Sequence, residues 1–580
     1  MNLKSLSRGR IIAVCGAMLL SLASCIKVNE ELGQNFIPTD QKWDVFIPEA
    51  VDLQDVTIQM ADSLSAYSNT RFTFGSVKDD ILGDCIKSTT FTLLPLTDTL
   101  VFGDHIRIRQ FHFSASRDTL SMIHDNQERM LQNVYVSELK TALDTTMMYV
   151  NAFSIPENRE KYLDLSKRIT NGIPIYDGGD SLTFDFSEEF ALSMIERLKE
   201  IGPLDSMKRY MEKLPGIYIT TDTPVSNGGR INMFELPLST DSQGYLSGNY
   251  AELKVTADFG ERKDVDTSYV FYFGPSEFIK RTDSGYPTQF AFNASEHGTG
   301  KKFVADWEAG QKELIYIEGG SGLKPVVKAK EIKAILEDEI GKAGIEDFSQ
   351  VVINKATIIM PYNVNGDFAR LEKYPMVLSP TVRLINEEGN YITYAGLTDS
   401  SISSENQGNI NRSTNMYCPD ISHHVQEILK IDRKAEDYEK TIAKYDIWFL
   451  IMHEEITKTE TDNSMNDYYN NLMYNSYYNN MMYDPYGYGY GYGGYGGYGG
   501  YGYGGYGGYG GYGGYGYNNY YNYMMMAMYA SSSSSSSNES SSVELDKDRY
   551  YNATLNGPGA AEGRPQLKFT FSAPKTAEKK

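Results

Sequence analysis

The recurring pattern along this chain is a two-residue alternation of apolar and polar side chains. It is clearest where Phe111 and Phe113 interleave with Gln110, His112 and Ser114, the signature of a half-buried strand. Strand-like runs recur at Asp44–Ile47, Val56–Met60, Arg71–Gly75, Ile106–Ser114, Ser181–Phe186, Gly216–Thr220 and Tyr250–Ala257. They continue at Ser268–Phe273, Glu313–Glu318, Val351–Met360, Pro380–Ile385 and Tyr445–Met452. Helical spacing interrupts them in three places. Ser187 is placed to cap a helix over Glu188–Ile201, with Phe190, Met194 and Leu198 on one side. Lys328–Lys342 carries Ile332, Ile335, Leu336 and Ile340 on a common face, and Asp420 or Ser422 can cap a helix through Ile431.

Many separated strands with occasional helices predict a mainly β fold (β-rich α+β) of sandwich-like sheets. The globular stretch exceeds the size at which one core stops growing, so two packed subdomains are expected, 43–297 and 298–462. The boundary is placed at Ser295–Gly300.

Past residue 462 the pattern breaks. Residues 463–542 are dominated by Tyr, Gly, Asn, Met and Ser, with Tyr-Gly-Gly repeats between Tyr486 and Tyr517 and an unbroken serine run from Ser531 to Ser537. Such a tract has almost nothing to build a core from, and its glycines raise the entropy cost of ordering it. The expectation is a long disordered insertion, which loop-closure entropy tolerates because its cost grows only logarithmically with length. Residues 543–580 then resume order, ending in the alternating strand Leu567–Phe571. That strand is expected in the same sheet system as Tyr445–Met452.

The N-terminus has a different pattern. Lys4, Arg8 and Arg10 precede the apolar run Ile11–Leu20, followed by Leu22-Ala23-Ser24-Cys25. This is the layout of a secretory signal over 1–24, and the run is too short to span a bilayer comfortably. Leu-Ala-Ser-Cys resembles the bacterial lipobox. The resemblance implies cleavage between Ser24 and Cys25 and acylation of the Cys25 thiol. Each buried CH₂ of the acyl chains then adds about 0.8 kcal/mol of anchoring. Residues 25–42 form the anchor and leader. Glu30 and Glu31 resemble the acidic export signal of surface lipoproteins in Bacteroidota, which implies an outer-membrane protein facing the cell exterior.

Charge sharpens the picture. The chain carries a formal charge of −22, and loss of a signal with three basic and no acidic residues makes it more negative still. Such a body repels nucleic acid and anionic lipid surfaces, so its anchoring is expected from acyl chains and not from charge. Of four cysteines, Cys15 leaves with the signal and Cys25 is acylated. Cys85 and Cys418 remain, either paired, as the compartment allows, or simply small buried residues.

The residue patterns of familiar active and metal sites are incomplete in this sequence. His423 and His424, near Cys418 and Asp420, are adjacent on a helix and diverge too far to share one ion. His453-Glu454-Glu455 lacks the second histidine of a zinc-protease motif. No Gly-x-Ser-x-Gly elbow occurs. The Gly260–Asp266 loop has Arg262 and Lys263 among the would-be calcium ligands and lacks the Asp spacing of a calcium loop. No catalytic residue, metal or cofactor is assigned.

Several stretches, in order, resemble a family of Bacteroidota lipoproteins catalogued as domain of unknown function 4270 (DUF4270). They are Leu32–Pro38, Phe74–Gly83, Leu214–Ile219, Ile353–Ala356, Asp420–Gln426 and Arg564–Thr570. The resemblance covers nearly all of the mature chain except the Tyr/Gly tract. It implies a compartment and a lineage but no reaction. A second resemblance is to the Asp-Ser/Thr-aliphatic acceptor of Bacteroidota O-glycosylation, at Ser63, Thr99, Thr119 and Ser181, with Ser63 and Thr119 expected first. Together these features predict a non-catalytic lipid-anchored protein, bound to membrane lipid through Cys25, that partners an outer-membrane protein complex. The alternative is a glycan- or host-binding protein using Trp43, Trp307 or Trp448 to stack on sugars.

Overall fold

The computed structural model describes residues 43–575, apart from 459–538 and short stretches at 69–70, 97–99, 119–122, 125–129, 143–158, 203–206, 237, 241–245, 274–290, 365, 367, 386–390 and 403–406. Signal, anchor, leader, Thr99, Thr119 and most of the Tyr/Gly tract therefore lie outside the described residues.

Three strands come first, β1 (Trp43–Phe46), β2 (Val51–Asp52) and β3 (Val56–Met60). The next stretch contributes β4 (Arg71–Asp79), β5 (Gly83–Phe91), β6 (Asp104–Ser116), β7 (Tyr135–Leu139), β8 (Ser181–Asp185) and α1 (Glu188–Ile201). It closes with β9 (Ile217–Thr220), β10 (Gly228–Glu235), β11 (Tyr250–Phe259), β12 (Arg262–Tyr272) and β13 (Ala291–His297). After these come α2 (Lys301–Ala309), β14 (Leu314–Glu318), β15 (Leu323–Val327), α3 (Ala329–Lys342), β16 (Val352–Pro361), β17 (Val377–Ile385) and β18 (Tyr391–Gly396). Last are α4 (Ser422–Lys430), β19 (Ile447–Lys458), β20 (Glu539–Leu545), β21 (Asn552–Asn556) and β22 (Gln566–Pro574). The fold is mainly β and sandwich-like, as the alternation predicts, and the named ladders are antiparallel.

Two cores result. The first lies between a nine-stranded sheet containing β7-β9-β5-β4-β10 and a five-stranded sheet containing β8-β6-β11-β12. It is rich in phenylalanine. Phe113 stacks on Phe184 at 4.6 Å and Phe91 on Phe273 at 4.9 Å, while α1 adds Phe190, Met194 and Leu198. Ser187 caps α1 by accepting from the Phe190 N–H. Each Phe side chain withdrawn from water contributes about 1.5–3 kcal/mol. The second core lies under the sheet β1-β22-β16 and the sheet β18-β17-β19-β15-β3. There α3 inserts Ile332, Leu336 and Ile340, and α4 inserts Val425 and Ile428.

Two expectations need correction. Residues 43–60, expected with the segment that follows them, do not pair with it. β1 and β2 pair with β22, and β3 pairs with β15. The chain starts in the second body, leaves to build the first sandwich and returns after His297. Local periodicity finds a strand but cannot name a partner hundreds of residues away. Second, β19 does not share a sheet with Leu567–Phe571, which lies in β22. It pairs with β17 and β15, and its outer half pairs with β20, from Met452↔Leu545 out to Lys458↔Glu539. The ladder places Glu539–Ser542 in a strand rather than in the insertion, and it sets Lys458 directly beside Glu539.

Candidate functional site

Few of the residues singled out from sequence come together. Ser63 is 3% exposed, and its Oγ accepts from Arg383 Nη2 at 2.7 Å. The exposed acceptor expected there is instead a buried one. Ser181 opens β8 and is exposed. Cys85 and Cys418 are free thiols in different sheets, β5 in one case and beside β16 in the other, so no disulfide joins them. Trp307 and Trp448 are buried. Trp307 donates Nε1–H to the Leu314 carbonyl, and Arg383 lies 4.8 Å over the Trp448 ring. His424 is buried, with Nε2 2.8 Å from the Tyr445 carbonyl. The backbone N–H groups of His423 and His424 donate to the Asp399 carboxylate, so this is a capped helix start. Among the described residues no group of three or more His, Cys, Asp or Glu is placed to hold a metal.

A different cluster does assemble, where the two sandwiches meet. Antiparallel pairing sets His297 of β13 directly opposite Cys85 of β5, and Ser295 opposite Lys87. These four side chains share one face because strand side chains repeat every two residues. The end of β14 supplies Glu318. His297 Nδ1 lies 3.1 Å from Glu318 Oε1, and His297 Nε2 lies 2.8 Å from Ser295 Oγ. Glu318 Oε2 accepts from Thr299 Oγ1 at 2.7 Å and from the Leu323 N–H at 3.2 Å. Lys324 of β15 points its ammonium into the tight turn before it. It donates to the carbonyls of Glu318 (2.5 Å), Gly320 (2.9 Å) and Gly322 (3.2 Å).

The segment after β20 closes the far side. Lys87 Nζ donates to the Lys547 carbonyl at 2.7 Å, and Lys547 Nζ to the Ser65 carbonyl at 2.8 Å. Asp546 accepts from the Tyr551 hydroxyl at 2.6 Å and from the backbone N–H groups of Asp548 and Arg549. Asn293 of β13 donates to Asp548, and Asn552 of β21 donates to Asp79 at 2.7 Å.

Electrostatics follow from burial and neighbours. Burial opposes protonation of His297, but the Cys85 thiol and Glu318 carboxylate facing the ring outweigh it and hold the imidazole up at about 9. Burial alone would raise Glu318; His297 and the hydrogen bonds it accepts keep it below the ordinary carboxylate value instead. Lys324 is pushed down to about 7 by burial, which Glu318 only partly offsets. Asp546 is likewise held low, against its burial, by His453 and Arg549.

Thiol, imidazole and carboxylate stand in the order of nucleophile, base and orienting acid. The site is nevertheless filled. Cys85 is 3% exposed, and His297 and Glu318 are as deeply covered. A Cβ built on Gly322 would stand 2.4 Å from Glu318 Cβ and 2.8 Å from His297 Cε1. What the arrangement does is join elements. Strands from both sandwiches and the return of the hairpin share one set of charges, and a buried pair broken on one side costs about 3–5 kcal/mol. Sequence reasoning missed it because its members are scattered from residue 65 to 552. The one local signal was the placing of small and polar residues Ser295–Gly300 at a strand end, taken there only as a boundary.

No protein-family model matches the chain, and neither the curated proteins nor the solved structures hold a match to it.

Proposed function

We propose that this chain is a non-catalytic lipoprotein, cleaved after Ser24, acylated at Cys25 and held on the outer membrane with its β-rich body facing the cell exterior. There it serves as a structural or assembly partner of an outer-membrane complex. The observation that carries the proposal is Leu22-Ala23-Ser24-Cys25 directly behind a basic and then apolar start. Three further features support it. Residues 26–42 separate Cys25 from Trp43, the first residue of β1. No helix among the described residues is long and apolar enough to cross a membrane. The one thiol–imidazole–carboxylate arrangement described above is sealed and serves to join the two sandwiches. The ordered stretches that resemble DUF4270 lipoproteins point to the same compartment.

The test is fractionation of cells expressing the native chain and Cys25→Ala. The native chain should pellet with outer membrane, carry acyl mass on its N-terminal peptide and be shaved by external protease. Cys25→Ala should leave the membrane. Its presence in the membrane pellet at native abundance, with no lipid mass on the native form, refutes the proposal. Gentle-detergent purification that yields a stoichiometric barrel protein supports the assembly role, and recovery of the lipoprotein alone counts against it.

A further inference from the structure

The outer face of the sheet β1-β22-β16 carries exposed apolar side chains at Trp43, Val45 and Val352, with Ile47 just beyond β1. β1 is the edge strand of that sheet. Its inward residue Phe46 stacks on Phe571 of β22 with ring centroids 5.0 Å apart, which fixes the strand's facing. Alternation then turns Trp43 and Val45 outward, with Ile47 continuing the row. They are 49%, 63% and 73% exposed, against buried positions for the other two tryptophans. At about 6.8 Å per two residues the row is roughly 14 Å long. Register extends it sideways. Val45 pairs with Ser572, a buried serine that accepts from Asn354 Nδ2 at 2.6 Å, and on its other side Ser572 pairs with Val352, which is exposed. Farther along the same two strands, Lys355 lies opposite Thr570 and Lys568 opposite Thr357, both lysines exposed. An edge of Trp, Val and Ile bordered by lysines, on a chain of net charge −22, has the composition of a membrane-interface surface.

Chain length argues for the same occupant. Residues 26–42 separate Trp43 from Cys25, and fully extended they reach no more than about 60 Å. A tether that short holds the row at high effective concentration against whatever surface takes the acyl chains. We propose that Trp43, Val45, Ile47 and Val352 dock on the bilayer that holds Cys25, with Lys355 and Lys568 facing anionic headgroups, so that the body lies on the membrane by this sheet face. This rests on acylation of Cys25.

The test uses the full acylated chain reconstituted into phosphatidylethanolamine–phosphatidylglycerol vesicles with brominated or ordinary acyl chains. Trp43 is the exposed tryptophan of three, so the expected result is quenching of its red-shifted emission by brominated lipid. The quenching should be absent in Trp43→Phe. It should also be lost in Val45→Asp/Ile47→Asp, which should still sediment with vesicles. Native protein that sediments with vesicles while Trp43 stays unquenched overturns the docking and leaves the anchor standing. Protein that stays in the supernatant without acyl mass overturns the anchor reading and the docking with it. Trp43 emission that shifts on self-association or on adding a glycan, and not with lipid, assigns the row to that occupant and also overturns the proposal.

Discussion

Replacing Lys324 by Met tests the buried junction through its proton linkage. The ammonium donates to three carbonyls inside one turn, and burial has brought it down to about 7. An unfolded lysine titrates near 10.4. Between those values the unfolded chain binds the extra proton, so Lys324 makes stability rise with pH from about 7 to about 10.5. His297 acts in the opposite sense. Held at about 9 in the fold against about 6.5 unfolded, it contributes stability that is complete below pH 6.5 and is lost as pH rises through 9. One fully titrating proton tilts stability by about 1.4 kcal/mol per pH unit. In the native chain the two slopes oppose between pH 7 and 9, and this site's contribution is nearly level. In Lys324→Met the rising limb is gone and a falling limb of roughly 3 kcal/mol stands exposed. The assay is urea unfolding from pH 6 to 10, followed by emission from the buried Trp307 and Trp448. Native and variant chains are compared at each pH, so that groups they share cancel. The difference should grow with pH above 7. A difference that stays flat from pH 7 to 10 would mean that Lys324 titrates as an exposed lysine, and the carbonyl cage would be wrong.

Three other outcomes are expected. Replacing residues 459–538 by a four-residue turn should leave the circular dichroism unchanged and raise stability by about 2–3 kcal/mol, since a far shorter loop closes the same hairpin; loss of folded protein would contradict the β19–β20 pairing. Burial holds His424 down at about 4, so its contribution is present above pH 6.5 and is lost as pH falls through 4. His424→Gln, which keeps a donor for the Tyr445 carbonyl, should remove roughly 3 kcal/mol of acid sensitivity in thermal melts between pH 7 and 4. Glycopeptide mapping of the native protein should find Ser63, whose hydroxyl is held by Arg383, unmodified, and Ser181 open to modification; high occupancy at Ser63 would show that its segment opens.

What the sequence could and could not reveal follows from where each strand's side chains go. β6 was legible because one face is Phe111 and Phe113 while the other is half-exposed. Ser187 announced α1 through a cap that is purely local. β5 was invisible. It is central in its sheet, so Lys87, Ser88, Thr89 and Thr90 are buried beside Cys85 and Phe91, and no alternation survives. β10 hides for the same reason, with Arg230 and Asn232 in the interior. Gly229 there has φ +123°, and a Cβ would stand 2.2 Å from the Ser76 carbonyl oxygen. That close approach needs glycine, but only the paired strand shows why. The ionic junction was out of reach altogether, because its charges look like ordinary solvated residues until β5, β13, β14 and the segment after β20 are brought side by side.

The hairpin made by β19 and β20 also has a mechanical meaning. Lys458 and Glu539 are direct partners, so any load borne by residues 459–538 acts on two adjacent chain ends and pulls them apart crosswise. A ladder loaded that way opens like a zip, one pair at a time, and needs far less force than one pulled lengthwise. The opening would run inward from Lys458 until it reached Asp546, where hydrogen bonds from Tyr551, Asp548 and Arg549 anchor the returning chain. A pull on that tract would therefore act first on the β19–β20 ladder, before it reached either sandwich.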